Sequence, residues 1–162
     1  MPSKKQSIIL GGLVAGLLST SYLGLINLLC CAGVIIGALV AVWHYTDANE
    51  LTISAGQGAV LGLLAALVGW GISLVLNYIL INAGIRHDQA LSQFILDKIG
   101  DSLPPESYDQ LVEQMEKQIT LAGYLASALW GVLASSLFGA VGGAIGAVIF
   151  KKGADAPDAF SE

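Results

Sequence analysis

Residues 121–150 read LAGYLASALWGVLASSLFGAVGGAIGAVIF, and this stretch decides the fold class. No charged residue lies between Lys117 and Lys151, so the stretch is long and apolar enough to cross a bilayer as one helix. Every fourth position carries a small residue, which leaves a groove along one helix face where a second helix can pack closely. These small residues are Gly123, Ser127, Gly131, Ser135, Gly139, Gly143 and Ala147.

The same spacing of small residues recurs in three earlier apolar segments. In lipid there is no hydrophobic force between helices, so dispersion at close approach drives much of their association. Glycine permits that close approach because it has no side chain. We therefore predict helix-packing residues at Gly12, Gly16, Gly33, Gly37, Gly58, Gly62, Gly123, Gly131, Ser135, Gly139 and Gly143.

The composition indicates a membrane protein. The chain has 162 residues, of which 55% are hydrophobic and 12% charged, and its mean hydropathy is +0.73. Soluble domains carry about 25% charged residues. The length predicts one domain, 1–162. The net charge of −5 arises mainly from residues 86–117, and this acidic balance argues against a nucleic-acid partner.

The first apolar run, from Ile8 to Trp43, is too long for one span. As a single helix it would measure about 54 Å, against a hydrocarbon core of about 30 Å. The run must fold back, and the softest point is 24–27, because Asn27 favours turns over helix interiors. This predicts spans at 8–25 and 28–45. A shallow re-entrant hairpin is the alternative, and both versions return the chain to its starting side.

The remaining sequence predicts two more spans, at 58–81 and 120–150, separated by a polar excursion at 83–118. The tail, 153–162, is predicted to be disordered. The fold class is therefore all-α, an integral membrane four-helix bundle with an extramembrane amphipathic helical excursion between spans three and four. The excursion holds one apolar face at Leu91, Phe94, Ile95 and Ile99, and a second, after Pro105, at Tyr108, Leu111, Val112, Met115 and Ile119.

The distribution of charge predicts the orientation. Lys4 and Lys5 lie beside the first span, and Lys151 and Lys152 follow the last one, whereas the excursion carries three basic against seven acidic residues. The positive-inside rule then places both termini in the cytoplasm, in the inner (plasma) membrane, with the excursion outside. Termini on the same side require an even number of spans, which agrees with dividing the first run.

The sequence offers little chemistry. No ionisable residue lies well inside a span, which argues against ion-coupled transport. His44 and Asp47 are only two of the ligands that a metal site needs, and adjacent Cys30 and Cys31 fit apolar packing better than a strained disulfide. We find no phosphate loop or nucleophile elbow. We therefore predict no catalytic residue, no cofactor and no metal, and a protein that is not an enzyme.

The stretch Leu25–Cys31, followed by 33–42 and 51–62, resembles small uncharacterised four-span, glycine-rich membrane proteins of prokaryotes. Those proteins carry an Asn-Leu-Cys-Cys turn between two short helices and a glycine-rich third span. The resemblance covers residues 1–80. It implies the fold and a prokaryotic inner membrane, and it implies no activity.

Two functions fit these features. The leading one is a non-catalytic structural or assembly role through helix packing, with the lipid bilayer and a second copy or another membrane protein as partners. The alternative is a small passive pore or transport subunit, in which serine, threonine and asparagine side chains line a path. The pore requires water at the faces 73–77 and 127–135, and the structural role does not.

Overall fold

The computed structural model describes residues 4–20, 31–84, 93, 96–98, 100–116 and 121–155 of the chain. These residues are mostly helical. The helices with defined bounds are α1 (Lys4–Leu18), α2 (Ala32–Asn49), α3 (Ala55–Asn82), α4 (Pro105–Glu116) and α5 (Leu121–Ile149), and residues 93 and 96–98 are helical as well. The described part also contains a 3-10 turn at Gly100–Ser102 and two short strands, β1 (Leu51–Thr52) and β2 (Ala154–Asp155).

Four of the helices, α1, α2, α3 and α5, pack side by side. Each of α2 and α3 contacts both α1 and α5, and α2 also touches α3. Ser7 of α1 faces His44 of α2, so these two helices are antiparallel. Gly58 of α3 faces Gly143 of α5, so this pair is antiparallel as well. The start of α1 and the end of α5 therefore lie at the same end of the packed helices, which we name the terminal end.

Within the described residues, two helices are long and apolar enough to cross a membrane by length and composition, namely α3 and the segment Ala126–Ile149 of α5. The start of α3 is fixed by a capping box, a reciprocal pair of hydrogen bonds at the helix N-terminus. The Ser54 hydroxyl accepts from the Gln57 amide at 3.2 Å, and the Gln57 side chain accepts from the Ser54 amide at 3.1 Å. The helix consequently begins at Ala55, slightly before the predicted span at 58–81.

The first helix differs from its predicted span of 8–25. It begins at Lys4 and ends at Leu18, after 15 residues or about 22 Å. The Ser19 amide donates to the Ala15 and Gly16 carbonyls, and the Thr20 hydroxyl donates to the Gly16 carbonyl at 2.6 Å. These bonds satisfy the last carbonyls locally, so the helix stops there.

The second helix also differs from its prediction, 28–45. It runs from Ala32 to Asn49, because Cys31 adopts a left-handed conformation (φ 56°) that no regular helix contains. The predicted turn at 24–27 lies outside the described residues. The two helices are nevertheless separate, as the division of the first apolar run requires.

The excursion and the tail are described only in part. Helix α4 begins at Pro105, where the sequence predicts the second amphipathic helix, whereas the residues of the first apolar face, Leu91, Phe94, Ile95 and Ile99, lie outside the described residues. Of the tail that the sequence predicts to be disordered, residues 153–155 are described, and β2 within them pairs in parallel with β1 through Leu51–Ala154 and Thr52–Asp155. Residues 156–162 lie outside the described part.

The packed helices bury mostly small side chains, together with a few larger ones such as Val42, Tyr45 and Leu61, and they expose many large apolar ones. Ala38, Ala41 and Ala65 are 0% exposed, while Leu129 and Trp130 on α5 are 68% and 76% exposed. Soluble proteins bury their leucine and isoleucine side chains instead. Further exposed apolar residues are Ile9, Leu13 and Leu17 on α1, Val75 and Ile79 on α3, and Leu133, Leu137, Val141, Ile145 and Val148 on α5.

Candidate functional site

The closest helix contact joins α3 to α5 and is built from glycine on both sides. A methyl group added to Gly62 would lie 2.7 Å from the Gly143 Cα, and one added to Gly139 would lie 2.9 Å from the Gly62 carbonyl oxygen. Gly58 faces Gly143 and Ala147 in the same way. The two backbones are therefore in direct contact, a separation that any side chain at these positions would prevent.

Helix α1 packs on its neighbours through the same chemistry. A methyl group on Gly12 would lie 2.6 Å from Cγ1 of Val68, and one on Gly16 would lie 2.9 Å from Cβ of Ile72, both on α3. Gly37 of α2 approaches α1, where an added methyl would be 2.7 Å from the carbonyl oxygen of Gly11. The predicted glycines of α1 and α2 thus meet two different partner helices.

Three other glycines at these contacts, Gly11, Gly142 and Gly146, escaped the sequence prediction, whereas the small-residue spacing places Gly69 on a second stripe of α3 with Ala65 and Ser73. Gly142 and Gly146 of α5 face Ala38 and Val42 of α2, each with an added methyl 3.1 Å from the facing Cβ. Gly142 and Gly146 form a second stripe beside the stripe of Gly139 and Gly143, so α5 presents one glycine face to α3 and another to α2. Each of these glycines has another small residue four positions away, as in Ser7, Gly11 and Ala15, so the spacing of small residues was the sequence signal that could have identified them.

The remaining predicted packing residues differ in how enclosed they are. Gly33 is buried on α2. Gly131 lies beside the indole of Trp70, 3.1 Å from an added methyl to Nε1, and Ser135 is half-buried. Gly123 is exposed. The small-residue groove of α5 is thus occupied by the chain's own helices around 139–147 and opens toward the start of the helix.

A polar cluster lies at the terminal end. The Ser7 side chain, 1% exposed, shares a hydrogen bond of 2.8 Å with Nδ1 of His44 and so joins α1 to α2. Asp47 forms an ion pair with Lys152, and this hydrogen bond and charge raise the pKa of the Lys152 ammonium. The Thr52 hydroxyl donates to the Lys152 carbonyl at 3.1 Å. We name residues 152–155, which these contacts hold against the α2–α3 connection, the strap.

This cluster ties helix ends together. Ser7 is buried against His44, and the exposed Asp47 carboxylate is paired with Lys152. Among the described residues, no group of three or more histidine, cysteine, aspartate or glutamate side chains is placed to hold a metal ion. His44 and Asp47, the pair with metal-ligand spacing, contact Ser7 and Lys152 respectively.

Several hydroxyl groups inside the helices bond to their own backbone. Ser73 donates to the Trp70 carbonyl at 2.9 Å, and Ser136 donates to the Val132 carbonyl at 2.7 Å. Thr46, fully buried, donates to the Val42 carbonyl at 3.0 Å. Such bonds satisfy a hydroxyl in an apolar setting, so these positions require no water.

Comparison with known proteins identifies the family. Residues 7–152, which include the four packed helices except the first three residues of α1, and also the first residue of the strap, match the family described as "Protein of unknown function (DUF4199)". The chain belongs to the DUF4199 family. No curated protein and no solved structure matches this DUF4199 chain. Because the family description names no activity, the function has to be argued from the packing and the surface.

Proposed function

We propose that this DUF4199 protein is a multi-pass integral membrane protein with a non-catalytic structural or assembly role. The observation that carries the proposal is the inverted packing. Glycine and alanine dominate the buried positions, with Leu61 of α3 among the few large exceptions, while many leucine, isoleucine and valine side chains face outward along α1, α3 and α5. Large exposed apolar surfaces promote association in water, whereas lipid chains solvate them at no cost.

In this proposal all four packed helices lie in the bilayer and both termini face the cytoplasm. Lys4, Lys5, Lys151 and Lys152 are exposed and belong to the helix ends at the terminal end, which is the arrangement that the positive-inside rule favours for a cytoplasmic surface. The acidic α4 then lies on the outer side. Antiparallel packing of α1 with α2 and of α3 with α5 supports an even number of crossings.

Assembly with a partner would use the outward apolar faces. The glycine grooves at Gly62 and Gly139 are already filled by the chain's own helices, so they are unavailable to a second protein. The widest outward face belongs to α5, where Trp130, Leu133 and Leu137 are each more than 60% exposed. A second copy or another membrane protein would meet this face, and lipid covers it otherwise.

The packing supports the structural role more than the passive pore. A pore between α3 and α5 would require a gap where Gly62 and Gly139 bring the backbones together. The Ser73 hydroxyl, one of the candidate pore-lining groups, is turned to its own helix. Single cysteines at Ser73 and Ser135 test this directly, because a pore would expose both to a water-soluble maleimide and a closed bundle would expose neither.

The first experiment is membrane extraction followed by mass measurement. Alkaline carbonate should leave the protein in the membrane pellet, and mild detergent should release it. Light scattering of the detergent-solubilised protein then gives its mass, and a defined oligomer or co-purifying partner supports the assembly role. Release by carbonate would overturn the membrane location. A clean monomer would remove the assembly role and leave only a self-contained bundle.

A further inference from the structure

Helix α4 makes no extensive contact with the packed helices. Among the elements that the structure describes, the extensive helix contacts join α1, α2, α3 and α5, and none of comparable extent involves α4. Its start is well defined, because the Pro104 carbonyl accepts from the Ser107 and Tyr108 amides at 2.9 and 3.1 Å. A helix of 12 residues is marginal in water without a surface to pack on. A surface for α4 to pack on would therefore stabilise it.

The two faces of α4 differ sharply. Tyr108, Leu111 and Val112 share one face, and Tyr108 keeps 44% of its surface exposed while the other two are half-buried. Glu106, Asp109, Gln110 and Glu113 are all exposed, and no lysine or arginine occurs between Pro105 and Glu116. The helix is thus amphipathic, with an acidic outer face.

The position of α4 along the chain limits how far it can lie from the membrane. It ends at Glu116, and α5 begins at Leu121. Even a fully extended connection keeps these two residues within about 18 Å of each other. The apolar segment of α5 begins at Ala126, only a few residues further. A bilayer surface around α5 is consequently within reach of α4 at all times.

We infer that α4 is an interfacial helix, which lies on the surface of the bilayer that α5 crosses and inserts Tyr108, Leu111 and Val112 among the lipids. The inference rests on the proposed membrane location. A short amphipathic helix with an aromatic residue on its apolar side is suited to this interface. The acidic face fits a zwitterionic surface, because anionic headgroups repel it. Docking therefore weakens as the fraction of anionic lipid rises.

The test uses the whole chain in phosphatidylcholine vesicles, with a nitrobenzoxadiazole label on single cysteines. Cys30→Ser and Cys31→Gly provide the background, since glycine accepts the positive φ of residue 31. Labels at Tyr108→Cys and Leu111→Cys report the apolar face, and Gln110→Cys on the exposed opposite face is the matched control. Leu133→Cys, in the exposed middle of α5, reports membrane insertion.

Quenching by doxyl-labelled lipid should be about twofold stronger at residues 108 and 111 than at residue 110, and the difference should shrink when anionic lipid is added. Equal weak quenching on both faces, with strong quenching at residue 133, would overturn the interfacial helix and leave the membrane location intact. Shielding of residue 111 from aqueous iodide without lipid quenching would instead show that protein covers the face. Absence of quenching at residue 133 would overturn the proposed membrane location itself. Unchanged circular dichroism across the labelled variants shows that each remains folded.

Discussion

At the residue scale, the glycines of α3 and α5 differ in whether a side chain has room, and this decides the effect of mutation. A methyl group on Gly143 would meet the Gly58 carbonyl and lie 2.9 Å from the Gly62 Cα, whereas one on Gly71 would meet nothing within 4 Å. Gly143→Ala should therefore lower the free energy of unfolding by about 1–3 kcal/mol through overpacking. Gly71→Ala, the matched control, should be neutral or slightly stabilising, because alanine favours helix.

Thermal unfolding of both variants in the same detergent provides the measurement. A third variant, Gly139→Leu, tests whether the groove at Gly139 is internal. If it is, the larger side chain should prevent the monomer itself from folding, and not only prevent an oligomer from forming. Equal melting temperatures for Gly143→Ala and Gly71→Ala would contradict the backbone contact between α3 and α5.

A second residue-scale prediction concerns the hydrogen bond between Ser7 and His44. Ser7 is 1% exposed, so its hydroxyl depends on this partner, and Ser7→Ala should cost about 1 kcal/mol of unfolding free energy. The double variant with His44→Ala isolates the interaction, since contacting residues show a coupling energy and independent ones do not. Denaturant titration of the wild type and the three variants measures it. Additive effects would mean that the bond contributes nothing to holding α1 on α2.

At the element scale, the strap depends on a glycine in a special conformation. Gly153 has φ +61°, and a methyl group there would strike the Glu50 carbonyl group, 3.0 Å from its carbon. Gly153→Ala should therefore detach β2 from β1 and expose the backbone after Lys151 to trypsin. Gly84→Ala is the control, because Gly84 also has a positive φ (+82°) but open space around it. Alanine at residue 84 should cost about 1–2 kcal/mol of backbone strain, because of the positive φ, without any steric clash.

Hydrogen exchange of the amides of residues 153–155 reports the strap in both variants. Faster exchange in Gly153→Ala alone is expected, and unchanged exchange would mean that the β1–β2 pairing does not hold the tail. The ion pair adds a pH dependence with a defined sign. Asp47 raises the pKa of Lys152, so the contribution of the pair is present at neutral pH and is lost as pH rises through that pKa.

Helix ends and helix faces were not equally predictable from the sequence. The stripe of Gly58 and Gly62 indicated a close helix contact because spacing alone places residues on one face. The observed ends of α1 and α2 differ from the predicted span bounds, since helix ends depend on local features such as the hydrogen bonds at Ser19 and Thr20 and the left-handed Cys31. The strap was missed because its pairing joins residues about 100 positions apart, as in Thr52 with Lys152. No local pattern encodes such a contact.

At the scale of the whole molecule, the structure shows which helices pack against one another. The spacing of small residues predicts that a helix has a groove, but it does not predict which helix packs into that groove. The contacts answer this for the described residues, since α5 meets α3 through Gly139 and α2 through Gly142. Helix α5 thus contacts both of its neighbours through two adjacent glycine faces. At the terminal end, the ion pair of Asp47 and Lys152 connects α2 to the segment that follows α5.

The last prediction tests how far the α1–α2 pair crosses the bilayer. The backbone leaves the helix at Ser19, and non-helical backbone is not tolerated against lipid, so the connection between the two helices should reach the far surface. Cys30 and Cys31 should then react with a membrane-impermeant maleimide from the side opposite the termini. Lys151→Cys in the Cys30→Ser, Cys31→Gly background should react only from the terminal side. Reaction of Cys30 and Cys31 only after detergent would establish the re-entrant hairpin, in which the pair turns back inside the bilayer. Reaction from the same side as residue 151 would overturn the antiparallel order of α1 and α2.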